Sequence, residues 1–132
     1  MLPKNMRSLP YLLHTNRELG LMLAGKKPLA FFADGKDCFP GVMIRYLRLF
    51  DRQVEKGALV RADHYAQSSS VKSLTLHRIL FALPGEEWRI AEMLELHSSD
   101  DGWTLERERR EGELLGYEDW MNDYWLEQIC GK

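Results

Sequence analysis

The sequence predicts an α+β fold: a mostly antiparallel sheet of about four strands, with three to four helices packed on it. Three observations carry that expectation. Compact apolar runs such as "PLAFFA" and "SLTLHRILFAL" have the length and residue types of buried strands. Residues 42–56 repeat their apolar positions with the helical period. A Pro-Gly pair at 84–85 turns the chain sharply between two apolar arms.

In chain order, Thr15 and Glu18 have the spacing of a capping box, which would open a short helix with Leu19, Met22 and Leu23 on one face. Gly25 ends it. Residues 28–33 form the first strand, and "DGKD" (34–37) turns the chain. The helix at 42–56 follows, with Met43, Leu47, Phe50 and Val54 as its core stripe and Gly57 as its stop. Strands are expected at 58–66 and 73–83, joined by the Ser-rich loop "QSSSVKS". Leu83-Pro84-Gly85-Glu86 reads as a type II turn.

Beyond that turn, residues 87–97 fit two patterns. Trp88, Ile90, Leu94 and Leu96 share a strand face, whereas Ile90, Met93, Leu94 and His97 share a helical one. A strand is preferred, because the arm before the turn needs a sheet partner. "DDGW" (100–103) is a turn, 104–116 a helix, and 117–131 a last helix closing at Gly131.

A chain of 132 residues fits one domain, spanning 1–132, and can bury a core without metal or disulfide staples. No apolar run approaches the roughly 18 residues that span a membrane, and "YLL" is too short for a secretory segment. A cytoplasmic location is therefore expected, with Cys38 and Cys130 as free thiols. Residues 1–85 carry a net +7 and residues 86–132 a net −9. Either the halves present separate basic and acidic surfaces, or they interleave and neutralise one another.

No motif for a nucleophile, a phosphate loop or a dinucleotide is present, and no cofactor is expected. Four candidates remain. Glu86 and Glu87 are adjacent carboxylates; on a strand only one could enter a shared site, and Glu87 would share its face with Arg89. With Glu108 and Glu111, these residues could line a polar cleft in which a carboxylate acts as general base. The second candidate is His64 with His77. If their strands pair around a loop centred near Ser70, they fall almost opposite each other, about 5 Å apart, close enough to share a metal. Without a third ligand the pair is a weak signal, and no metal is expected.

The third candidate is the row Arg45, Arg48, Arg52 and Lys56, stepping by three and four along one helix face. Such a row could grip an acidic protein or a phosphate backbone. Nucleic acid is disfavoured by the acidic balance and the lack of interleaved aromatics. The fourth is the last helix. Trp120, Met121, Tyr124, Trp125 and Ile129 span half its circumference beside Asp119, Asp123 and Glu127, wider than one sheet contact requires. Glu106–Arg110 and Arg107–Glu111 are read as surface pairs. Together these point to a protein-binding module of the immunity, inhibitor or adaptor type, with a homodimer as a further option. A small enzyme with a carboxylate base is the alternative.

Overall fold

The computed structural model describes residues 9–68, 73–98 and 102–130. The loop tip at 69–72, the start of the turn at 100–101 and the Gly131 stop lie outside them. Among the described residues the chain forms five helices and one three-stranded sheet. The order is α1 (Glu18–Leu23), β1 (Leu29–Gly35), α2 (Gly41–Glu55), β2 (Val60–Gln67), β3 (Thr75–Ala82), α3 (Trp88–Ser98), α4 (Leu105–Leu115) and α5 (Asp119–Cys130). The α+β class holds. The sheet has three strands where about four are expected, and the helices are more numerous.

β3 lies in the middle, antiparallel to β1 on one side and to β2 on the other. Both edges of β3 are therefore taken, and the chain after the Pro84-Gly85 turn has no strand slot to fill there. Residues 88–98 are helical, which corrects the strand expected at 87–97. The turn itself forms as expected: Gly85 has φ +93° and the Glu86 N–H donates to the Leu83 carbonyl at 2.9 Å. Ile90 and Met93 then bury on the helical period.

The sheet is covered on both faces. This explains why "PLAFFA" and "RILFAL" read as continuous apolar runs rather than alternating ones. On one face Ala30, Phe32, Ile79 and Phe81 pack against Leu47 and Phe50 of α2 and Met22 of α1. Phe50 stacks on Phe81 with ring centroids 4.5 Å apart. Full burial of each such side chain contributes about 1.5–3 kcal/mol. On the other face Leu29, Leu80 and Ala82 pack against Ile90, Met93 and Leu114. α5 lies outside this layer against α4, where Asn122 is buried over Gly112.

The basic helix α2 packs on one face of the sheet and α3 and α4 on the other, while segment 11–15 and Lys27 of the basic half reach α4 and α5.

Two local expectations are corrected. The capping box does not form: Asn16 takes a left-handed φ of +67°, Arg17 holds the cap position, and no side chain caps the helix. Glu18 instead accepts from the Tyr46 hydroxyl at 3.0 Å, which ties α1 to α2. Nor do the two i,i+4 pairs of α4 form. Arg110 reaches Glu92 on α3 and Glu113, and Arg107 bonds the Gly102 carbonyl.

Candidate functional site

Most of the polar and aromatic candidates collect on two surfaces, one on each side of the sheet. The first is a cleft of about 170 Å³ between the segment 11–15, α4 and α5. Thr104 starts α4 by accepting from the Arg107 N–H at 3.0 Å, which fixes the helix that carries Glu108 and Glu111 into the cleft one turn apart. Tyr11, Tyr117 and Trp125 supply aromatic walls. Glu108 is held from two sides: Trp103 Nε1 donates to one carboxylate oxygen at 2.9 Å and Trp125 Nε1 to the other at 2.8 Å. Glu111 Oε1 lies 3.5 Å from His97 Nε2, a buried nitrogen with no hydrogen-bond partner among the described residues.

Glu87 and Arg89 are not brought to this cleft. The helical backbone separates them, so their shared strand face does not exist. Glu87 folds back to accept from the Gly85 N–H at 2.8 Å. Arg89 pairs with Glu86 at 2.7 Å and donates to the carbonyls of Glu113 and Leu114, closing the end of α4.

The histidine pair is also not formed. β2 and β3 are registered with His64 opposite Arg78 and Tyr65 opposite His77. A slip of one residue sends the two rings to opposite faces of the sheet. His77 stacks on Tyr65 and bonds Asp63 at 2.7 Å. The Arg61 guanidinium beside Asp63, with His77, holds that carboxyl below the usual range. Among the described residues no cluster of three or more His, Cys, Asp or Glu could hold a metal.

On α5, Trp125 lines the cleft, and the rings of Tyr124 and the half-exposed Trp120 lie nearly perpendicular to that of Tyr11. Asp123 is paired with Arg109, while Asp119 is exposed. The chain's own N-terminal segment therefore packs on part of the aromatic face, while Trp120 and Ile129 stay exposed.

The second surface is the outer face of α2. Here a shallow groove of about 620 Å³ is lined by Arg45, Arg48 and Arg52 together with Val42 and Leu49. Val42 is 67% exposed and Leu49 42%. Among the described residues none of the three arginines has a carboxylate within salt-bridge distance.

No family model, curated protein or solved structure matches this chain.

One buried group is not found by sequence reading. Lys27 is 1% exposed, with no carboxylate within salt-bridge distance among the described residues, and Glu18 favours its charge only from farther off. Its Nζ donates to His14 Nδ1 at 2.8 Å and to the Leu115 carbonyl at 2.9 Å. The His14 ring lies flat on Tyr117, centroids 3.7 Å apart. Burial pushes the Lys27 amine down to about 8, and burial with the Lys27 charge pushes His14 down to about 4. Burial also raises the Tyr11 and Tyr117 hydroxyls. Lys27 thus ties the cleft's N-terminal wall to the end of α4. In the sequence it is one of two adjacent lysines in "GKKPLA", a pattern that reads as solvated surface.

Proposed function

We propose that this protein works by stoichiometric association with an acidic protein partner, as an inhibitor, immunity or adaptor protein does. The observation that carries this reading is the outer face of α2. Three arginines, without carboxylate partners among the described residues, line the groove with exposed Val42 and Leu49. An exposed apolar centre ringed by charge is the anatomy of a binding patch, and arginine is favoured in such patches. The row also steers an acidic partner toward the face before contact. The geometry favours this over a carboxylate base assembled from Glu87, Arg89, Glu108 and Glu111, because those residues lie in two separate places.

The test uses the full chain as bait in lysate of its source cells, beside an Arg45→Glu/Arg48→Glu variant. Expected is one acidic protein captured at one-to-one stoichiometry by the wild type. The paired charge reversal should weaken the purified complex by about 100-fold or more, mostly through slower association. High salt should weaken it in the same direction. Capture that ignores the reversal, or no stoichiometric partner at either salt, would sink the proposal.

A further inference from the structure

We propose that the cleft between α4 and α5 binds a small organic ammonium ion. The site lies on the other side of the sheet from the α2 face and does not depend on it. Its volume, about 170 Å³, is that of five or six waters at roughly 30 Å³ each. An alkylated ammonium head is of that size, and drug-sized pockets start near 300 Å³.

The walls and the charge select the same ligand. Tyr11, Trp125 and the side of Tyr117 not stacked on His14 line the cleft with π-systems, whose negative faces attract a diffuse cation. Tyr11 is not a loose flap: its ring stands steeply inclined to those of Tyr117, Trp120 and Tyr124, with centroids 6.1, 5.5 and 6.3 Å away. Glu108 and Glu111 supply the negative charge. The two indole N–H groups on Glu108 orient that carboxylate without neutralising it, since an indole donates a hydrogen bond but carries no charge.

No lysine or arginine lines the cleft among the described residues. Of the arginines of α4, Arg109 pairs with Asp123, Arg110 with Glu92 and Glu113, and Arg107 donates to the Gly102 carbonyl. His97 lies 3.5 Å from Glu111, and the Lys27 amine sits behind the wall, bonded to the Leu115 carbonyl at 2.9 Å and 5.9 Å from the Tyr117 ring centroid. An anion would face two carboxylates. A neutral guest would leave both without a countercharge. A bare metal ion would want a shell of oxygen ligands where three aromatic rings stand. An ammonium ion with an alkyl surface satisfies both the rings and the carboxylates.

Calorimetric titration of the full chain tests this, with tetramethylammonium and choline as probes and 3,3-dimethylbutan-1-ol as the uncharged counterpart of choline. Expected is one-to-one binding of both cations, with the uncharged alcohol weaker by about tenfold or more. Glu111→Gln and Glu108→Gln should each weaken choline by a similar factor. Glu55→Gln, on the far side of the sheet, should leave it unchanged and so control for net charge. The wild-type comparison of choline with the alcohol stands even if a cleft variant fails to fold. Equal affinity for the two, no binding of either cation, or an equal loss in Glu55→Gln would overturn the proposal.

Discussion

Lys27→Met is expected to remove a rise in stability that the wild-type chain shows between about pH 8 and pH 10. The sign follows from where the proton sits. Below about pH 8 the amine is protonated in both states, and the folded chain carries a charge that burial disfavours. From about 8 up to the ordinary value of 10.5, the folded chain has shed the proton while the unfolded chain still binds it. The unfolded state then holds more protons, so stability increases with pH. The full gap is worth about 3 kcal/mol, of which about 2 kcal/mol is gained between pH 7 and pH 9.5.

Above pH 10 the effect turns over. The hydroxyls of Tyr11, Tyr46 and Tyr117 are raised by burial, so the unfolded chain loses those protons first and stability falls. On the acid side His14 acts in the same sense as Lys27. It stays neutral in the fold down to about 4, while the unfolded ring protonates near 6.5. Stability is therefore lost as pH drops through that window. Urea midpoints at pH 7, 8.5 and 9.5 check the prediction: the wild type climbs and Lys27→Met stays flat. The variant need not be more stable at pH 7, because it leaves His14 Nδ1 and the Leu115 carbonyl without their donor, about 1–3 kcal/mol each. A flat wild-type curve would mean that the amine is solvated.

What the sequence discloses depends on whether a residue's role is local. The α2 stripe of Met43, Leu47, Phe50 and Val54 is legible because the helical period alone puts those side chains on one face, and that face is the core. The Pro84-Gly85 turn is legible because its dihedrals belong to those two residues. The segment after it is not, because strand or helix there depends on whether β3 has a free edge, and β1 and β2 close both edges from far along the chain. The distance between His64 and His77 hangs on a register of one residue, which a loop of uncertain centre cannot fix.

The cleft was half visible. Glu108 and Glu111 lie on a helix that the pattern finds, but Tyr11 and Thr15 come from a segment with no periodicity to read. Lys27 carries no local sign of burial. It is covered only once segment 11–15 and the end of α4 close over it. A lysine directly before the proline that opens a buried strand is the one available hint.

Gly116→Ala tests that closure from the other side and should cost about 3 kcal/mol, lowering the unfolding midpoint by about 10 °C. Two effects add. Gly116 ends α4 at φ +97°, a left-handed backbone that costs other residues about 1–2 kcal/mol. A Cβ there would also overlap the ring of Pro28, and overpacking of that kind costs about 1–3 kcal/mol. Pro28 has little room to yield. Its ring is closed, its carbonyl accepts from the Leu83 N–H at 3.1 Å, and its neighbour Lys27 is anchored to Leu115. Gly85→Ala separates the two effects. Gly85 has a similar φ of +93°, but an added Cβ would meet nothing within 4 Å. It should incur the backbone cost alone, a fall of about 5 °C. Thermal unfolding of both variants measures the difference, which belongs to the contact between Gly116 and Pro28. Equal falls would show that the end of α4 does not press on the Lys27–Pro28 corner, and Lys27 would then lose the close lid on which its lowered pKa depends.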